Sequence, residues 1–219
     1  MNSQIQTGQT APAQTRFCSS LAQGIHAAAQ PLTVLLASLS KAHTDPLSTE
    51  ELRQLTASSA VEIQRVCTLF SSLQQMVMAE CIKPQLTSSP VLPLLTYVAE
   101  GVELLFRESS IPFHCVLPDS CPPVLINHSR TTQALSRVLL VVHGLSTGGG
   151  GPVELAATSS AHAVHIVVSS HRTSTNAITP ENNLSLAVAE ANMRSQQAGY
   201  SMTLQPFTVR IDLPRFGTP

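Results

Sequence analysis

The residue of this chain best placed to do chemistry is a histidine inside a long helical pattern. His26 follows Ile25, and the apolar residues around it recur at steps of three and four, as on a bundle helix: Ile25, Ala28, Leu32, Leu35 and Leu39. One residue rotates about 100° around a helix, so His26 is predicted to face solvent beside this seam. A lone surface histidine is usually inert, but an exposed imidazole with a free nitrogen is a nucleophile near neutral pH.

The neighbours of His26 are small, and a proline follows them. Gly24 and the alanines at 27–29 leave the imidazole uncrowded. Pro31 removes one backbone hydrogen bond and crowds the carbonyl group of Ala27, which predicts a bend or local opening beside the histidine.

Two helices are predicted to carry this site. Thr44, Asp45 and Pro46 break the first, and Ser48 or Thr49 caps the second ahead of two glutamates. The second helix repeats the apolar stripe, with Ser59 as its polar interruption: Leu52, Leu55, Ile63, Val66, Phe70, Leu73 and Val77. A short turn predicts an antiparallel hairpin, and stripes this wide need a second copy to cover them. We therefore expect a homodimeric four-helix bundle.

The residues around the histidine resemble a known motif. His26, Gln30, Pro31, Leu32 and Thr33, on the first helix of a hairpin, are similar to the phosphoacceptor box of histidine kinases. The resemblance implies that His26 accepts a phosphoryl group, with Gln30, Pro31 and Thr33 in supporting positions. Ala27 departs from the family pattern, which has there an acidic residue that acts as the base for autophosphorylation.

The second half of the chain mixes helices and strands. Helices are predicted over residues 92–109, 131–145 and 184–198, the last ended by Gly199, and strands over 113–117, 124–126, 153–158, 162–169 and 202–213. This order predicts an α+β layer with helices on one face of a sheet. It is similar to the ATPase domain of histidine kinases.

The nucleotide motifs of that ATPase domain are missing. The positions aligned with its metal-binding asparagine box are Arg137, Val141 and Gly144, and Val141 cannot ligate a metal. Residues 169–173 lack the Asp-x-Gly-x-Gly that reads adenine, and residues 183–188 keep the leucines of the phosphate loop without its glycines. The resemblance therefore implies a degenerate ATPase-like α/β sandwich that does not hydrolyse ATP.

The predicted organisation has four parts. Residues 1–15 form a disordered leader, 16–83 the dimerisation and phosphoacceptor-like hairpin, 84–91 a linker, and 92–219 the degenerate ATPase-like domain. The fold class is α+β.

Composition excludes several function classes. Twelve basic against thirteen acidic residues leave no cationic excess for a nucleic acid, and no apolar run is long enough to span a membrane. The first fifteen residues lack a secretory signal, so a cytoplasmic protein is expected, with its five cysteines as reduced thiols. Cys115 and Cys121, which flank a short segment around Pro118, are the alternative disulfide pair.

Three weaker motifs have alternative interpretations. Residues 148–151 are a glycine run that lacks the lysine of a phosphate loop and is predicted to be a turn. His162, His165 and His171 could hold a metal, but residues 162 and 165 of one strand point to opposite faces of the sheet, so no metal site is predicted. Arg130, Arg137 and Arg172 either line the former nucleotide pocket or are solvated.

These observations predict a two-component phosphorelay protein. His26 would exchange a phosphoryl group with an aspartate on a response-regulator receiver domain, without ATP and without a cofactor of its own, Mg²⁺ being held by the partner. A histidine kinase is a further candidate partner. The alternative is a non-catalytic dimeric scaffold or regulator that docks onto kinases or response regulators, and the third hypothesis is a divergent sensor histidine kinase.

Overall fold

Two long helices open the described part of the chain. The computed structural model describes residues 10–44, 46–147, 151–171 and 178–216. Helix α1 spans Thr10–Thr44 and helix α2 spans Thr49–Cys81. Residues 10–15, predicted to belong to a disordered leader, are therefore helical. Residues 1–9 lie outside the described residues.

The start of α2 has the cap that its sequence predicts. The backbone N–H of Ser48 donates to Oε2 of Glu51 at 2.8 Å, and the backbone N–H of Glu51 donates to Oγ of Ser48 at 3.3 Å. This reciprocal pair is a capping box, and it satisfies N–H groups that a helix start leaves unbonded. Oγ of Ser48 also donates to Oε2 of Glu51 at 2.7 Å, and this bond, followed by the one from the Ser48 backbone, lowers the pKa of the Glu51 carboxyl group.

The apolar stripe predicted for the two helices is only partly covered within one chain. Ala28 and Leu73 are buried and Leu35, Leu55 and Val66 are half-buried, whereas the remaining residues of the stripe are exposed: Ile25, Leu32, Leu39, Leu52, Ile63, Phe70 and Val77. Residues outside the predicted stripe are buried as well: Gly24, Ala27 and Pro31 in α1, and Leu69 and Met76 in α2. Ile25 was predicted to lie in the seam of a two-copy bundle, and its exposure in a single chain leaves that prediction untested. The buried line of α1 runs through small residues, which the spacing of large side chains does not reveal.

The chain divides into two compact units, the first ending at Gln75 and the second beginning at Met76. The sequence instead predicts a boundary after residue 83. Residues 84–91, predicted to be a linker, contain strand β1 (Thr87–Ser89), which pairs antiparallel with β3 (Val124–Ile126). This stretch is therefore part of the second unit.

The second unit is an α+β layer. Its helices are α3 (Val91–Glu108), α4 (His128–Ser146) and α5 (Pro180–Arg194). Its larger sheet has the strand order β2-β4-β5-β7-β6, in which β2 runs parallel to β4 and the other pairs are antiparallel. These strands are β2 (Phe113–Val116), β4 (Val153–Ser159), β5 (Ala163–Ser170), β6 (Gly199–Leu204) and β7 (Phe207–Pro214).

Strict alternation in the strands places the core on one side of this sheet. Along β5 and β7 every second residue is buried, and these residues join the apolar sides of α3, α4 and α5 in one cluster. The intervening residues, among them His165, Arg210 and Asp212, form an open face. The α+β prediction, with helices on one face, is confirmed.

The end of the chain differs from its prediction in two places. Residues 202–213 were predicted to be one strand, but a turn at the cis peptide Gln205-Pro206 divides β6 from β7. Helix α5 ends at Arg194, and Gln197 takes the left-handed conformation (φ 61°) that was predicted to need Gly199. Gly199 instead begins β6, where an added Cβ would lie 3.1 Å from Cβ of Asp212.

Among the described residues, no helix combines the length and apolar character that crossing a membrane requires.

Candidate functional site

His26 lies in the middle of α1 and its side chain is exposed, as predicted. No described residue forms a hydrogen bond with its imidazole. Gly24, Ala27 and Ala28 are buried beside it, so the backbone around the histidine is fixed while the ring remains in water. A neutral imidazole in this setting has a nitrogen lone pair available for attack on an electrophile from solution.

The three supporting residues follow within two turns of the same helix. Gln30 and Thr33 are exposed, whereas Pro31 is buried. Helix α1 continues through Pro31, and Oγ1 of Thr33 donates to the carbonyl oxygen of Ala29 at 3.0 Å. All four predicted site residues therefore lie on one helix, with His26, Gln30 and Thr33 open to solvent.

Ala27 occupies the position at which the resembling motif has an acid. Its side chain is only 1% exposed. A carboxylate at this position would lose its hydration, which costs several kcal/mol when no partner replaces the water. In this chain the position next to His26 is thus part of the packed side of α1, and it offers no acid or base to the imidazole.

The positions aligned with the asparagine box lie on α4. Val141 is buried in the core of the second unit, and Gly144 has open space around the place of an added Cβ. Nη1 of Arg137 donates to Oγ of Ser185 at 3.2 Å, and burial lowers the pKa of the guanidinium group. None of these three positions carries a carboxylate or amide oxygen for Mg²⁺.

The described residues aligned with the other two nucleotide motifs belong to a strand end and a helix. Ser170 ends β5, and its Oγ lies 3.1 Å from Oγ of the buried Ser146. Residues 183–188 are within α5, where Leu184, Leu186 and Val188 are buried. Residues 172–177, including Arg172, lie outside the described residues, as do 148–150 of the glycine run.

Arg130 has a role that the sequence did not predict. Its guanidinium group donates to the carbonyl oxygens of Ile82 at 2.8 Å, Ala79 at 3.3 Å and Met78 at 3.4 Å, and to Oγ of Ser195 at 2.8 Å. It thereby caps the C-terminal end of α2, where the carbonyl oxygen of Met78 also accepts from the backbone N–H of Ile82. Arg130 is half-buried and held by these contacts, a role that neither of its two predicted placements includes. Only the tertiary fold brings residue 130 to this helix end.

A polar cluster on the open face of the sheet also went unpredicted. Nδ1 of His165 lies 2.6 Å from Oδ1 of Asp212, and Nε of Arg210 donates to the same oxygen at 2.8 Å. Burial alone raises the pKa of Asp212, but the hydrogen bonds from Arg210 and His165 outweigh it and lower the pKa. Nε2 of His165 reaches Oγ of Ser160 at 3.1 Å, although that hydroxyl group also bonds to the backbone of Ala163. The cluster therefore ties the β4–β5 turn to β7.

Comparison with known proteins gave a likeness at the level of structure alone. No protein-family model matches the chain, and no curated protein sequence is significantly similar to it. The solved structure of the Acinetobacter baumannii histidine kinase AdeS superposes with a TM-score of 0.64 at 13% identity, covering 84% of this chain and 95% of AdeS. The chain has the fold of a histidine kinase core.

Two further structures extend the likeness across both units. The histidine kinase ThkA, solved in complex with the response regulator TrrA, gives a TM-score of 0.70 at 12% identity over 95% of this chain and 64% of that one. Full-length ShkA in complex with AMPPNP gives 0.60 at 14% identity over 94% of this chain and 47% of ShkA. The histidine kinase fold thus accounts for both the helical part and the mixed sheet.

Proposed function

We propose that this chain is a two-component phosphorelay protein in which His26 exchanges a phosphoryl group with a response-regulator aspartate without using ATP. The observation that carries the proposal is the exposed imidazole of His26, which has no described hydrogen-bond partner and lies on the first helix of a histidine kinase fold. ThkA, which has this fold, is solved with a response regulator bound.

The proposed step is a reversible transfer between two side chains. A nitrogen of His26 attacks the phosphorus atom of the partner's aspartyl phosphate, the N–P bond forms, and the aspartyl O–P bond breaks to release the carboxylate. The reverse step returns the phosphoryl group to the aspartate. Charge stabilisation comes from the partner's Mg²⁺ and cationic groups, so the exposed His26 needs to supply only the nucleophile.

Residues at the positions of the nucleotide motifs, and the residue next to His26, argue against transfer of a phosphoryl group from ATP. Val141 and the buried leucines of α5 occupy positions at which the resembling ATPase domain binds metal and phosphate. Ala27 provides no base next to the histidine. Phosphoryl groups therefore reach His26 from a partner protein in this proposal, either a receiver domain or a histidine kinase.

A homodimer is part of the proposal. Ile25, Leu32 and Leu39 on α1, with Ile63 and Phe70 on α2, are exposed apolar residues of one chain. Contiguous exposed apolar side chains of this size mark an interaction surface. A second copy of the hairpin covers them in a four-helix bundle.

The proposal is tested by following acid-labile phosphate from a purified phosphorylated receiver domain to this chain. Wild type is expected to become labelled, and His26→Ala is expected to lose the label entirely. His43→Ala is the matched control, because His43 is also exposed on α1, and it should retain the label. Both substitutions are at exposed positions and should change the free energy of unfolding by less than about 0.5 kcal/mol.

The same experiment separates the scaffold alternative, which the exposed apolar surface of α1 and α2 favours. A scaffold would bind receiver domains equally well with and without His26 and would take no label from any cognate receiver. Isothermal titration with Mg²⁺-ATP tests the third hypothesis, a divergent kinase. Micromolar nucleotide binding would support that hypothesis and count against a phosphorelay protein independent of ATP.

A further inference from the structure

A groove opens between α3 and α4 on the side of these helices away from the sheet. Its volume is about 480 Å³, and both helices contribute residues to its lining: Tyr97, Val98, Glu100, Gly101 and Val102 from α3, and Thr132, Ser136 and Leu140 from α4. Tyr97, Gly101 and Leu104 follow one another at steps of four and three on α3 and therefore share a side of the helix. The lining residues include none of the positions aligned with the nucleotide motifs.

Large apolar side chains flank this groove without being covered by described residues. Tyr97 is 65% exposed, Leu104 52% and Leu140 51%. Tyr97 and Leu140 line the groove, and Leu104 lies one helical turn beyond Gly101. Single exposed apolar residues are ordinary, but several at and beside one concave surface are characteristic of a binding site.

The charge of the groove has one sign. Glu100 lines it and Glu103 lies one turn further on α3, both exposed, while no lysine or arginine is among the lining residues. No described residue forms an ion pair with either glutamate. A partner surface that combines apolar side chains with basic ones would complement both features.

We infer that the α3–α4 groove binds an amphipathic helix of a partner protein through its apolar side chains, with lysine or arginine residues of that helix facing Glu100 and Glu103. A helix fits the shape of the site, because a groove between two packed helices accepts a third helix through side chains at i, i+3, i+4 and i+7. The 18 residues of α3 extend over about 27 Å, which is five turns of such a helix.

Gly101 provides a sharp test. An added Cβ at this position meets no atom within 4 Å, so a leucine side chain can occupy the groove without disturbing the fold. Leucine is also a better helix former than glycine, so Gly101→Leu is not expected to weaken α3. Ala57→Leu is the matched control, since it adds the same side chain at an exposed position of α2 outside the groove.

The probe is a fluorescein-labelled, 18-residue helical peptide of leucine and lysine, followed by fluorescence anisotropy with the full chain. We expect saturable binding to wild type and to Ala57→Leu, at least a tenfold weaker affinity for Gly101→Leu, and a severalfold loss for the pair Glu100→Gln and Glu103→Gln. The binding should weaken in salt, which screens exposed charges.

Three results would overturn the inference. They are an absence of saturable binding to wild type, equal affinity for wild type and Gly101→Leu, and equal affinity for a peptide in which glutamate replaces lysine. Light scattering on Gly101→Leu tests whether a second copy of this chain, instead of a partner helix, occupies the groove. If that substitution changes the oligomeric state of the chain, the groove is a contact between copies and not a site for a partner helix. None of these measurements depends on phosphoryl transfer to His26.

Discussion

At the scale of single residues, burial of Ala27 explains why no acidic residue lies next to His26. The alanine is buried on the packed side of α1, so the missing acidic residue cannot simply be added back. We predict that Ala27→Glu lowers the free energy of unfolding by roughly 3 kcal/mol, because it buries a carboxylate without a partner. Thermal unfolding followed by circular dichroism measures this loss.

Ala29 supplies the control for this substitution. It lies two residues further along α1 and is exposed, so Ala29→Glu should leave the unfolding temperature almost unchanged. Equal unfolding temperatures for the two variants would mean that position 27 accepts a charge. Burial of the position would then not account for the absence of an acidic residue beside His26.

Tyr200 gives a prediction on pH. Burial and, to a smaller extent, the charge of Glu190 raise its pKa, and its hydroxyl group is buried without a described hydrogen-bond partner. The folded protein therefore keeps the phenol protonated where the unfolded chain ionises, from about pH 10 upward. Stability should fall as pH rises through this range, because ionisation favours the unfolded state.

Tyr200→Phe is expected to remove this alkaline loss and to stabilise the protein at neutral pH by about 1 kcal/mol, since it eliminates an unsatisfied buried hydroxyl group. Urea unfolding at neutral pH and again above the ordinary pKa of tyrosine measures both effects. Tyr97→Phe, at the exposed second tyrosine of the chain, should change neither. A destabilised Tyr200→Phe would show that the hydroxyl group has a partner, such as an ordered water molecule.

At the scale of secondary-structure elements, the C-terminal end of α2 depends on Arg130. The guanidinium group bonds to three carbonyl oxygens of that helix end and to Ser195 near the end of α5. We predict that Arg130→Met, which keeps an apolar stem of similar length, costs about 2 kcal/mol of unfolding free energy, as expected for lost bonds to a charged donor. Chemical denaturation measures the loss.

Arg107→Met is the comparison for Arg130→Met. Arg107 is an exposed residue in the last turn of α3, and removing its charge should cost no more than about 0.5 kcal/mol. Similar losses in the two variants would indicate that Arg130 acts only through net charge. Hydrogen exchange at residues 78–82 adds a local measure, since opening of the helix end should accelerate in Arg130→Met alone.

The sequence predicted those elements whose signals are local. The cap at the start of α2 and the strand at β5 depend on neighbours within one segment, and both are present, the cap as a capping box between Ser48 and Glu51. The β6–β7 turn was missed because Gln205 and Pro206 interrupt an otherwise strand-like run without a glycine or asparagine to mark it.

The site was predictable for a similar reason, but its surroundings were not. The exposure of His26 was predicted from its rotation of one residue relative to Ile25 on the helix. His26 is exposed in the structure, and in the single chain Ile25 is exposed as well. The Arg130 cap and the cluster of His165, Arg210 and Asp212 join residues that lie 45 or more positions apart. Contacts of this kind have no signature in a single sequence, because they depend on how the finished elements pack.

At the scale of the whole molecule, the exposed stripe of α1 and α2 leads to a prediction on assembly. Leu36 is 68% exposed and Phe70 55%, so each chain leaves large apolar groups in water that a second copy would cover. Phe70→Glu should barely affect the fold of one chain, since the side chain is already exposed. It should weaken a dimer strongly.

The size of this effect follows from the symmetry of a dimer. Two copies of Phe70 are lost at once, each contributing roughly 2 kcal/mol when buried, so the dimer dissociation constant should rise roughly a thousandfold. Light scattering over a dilution series checks it, with Gln74→Glu, the same new charge at an exposed polar position one turn away, expected to remain dimeric. If wild type and Phe70→Glu dissociate at the same concentration, the apolar stripe does not hold two copies together, and a homodimer formed through this hairpin is ruled out for the phosphorelay protein and for the dimeric scaffold alike.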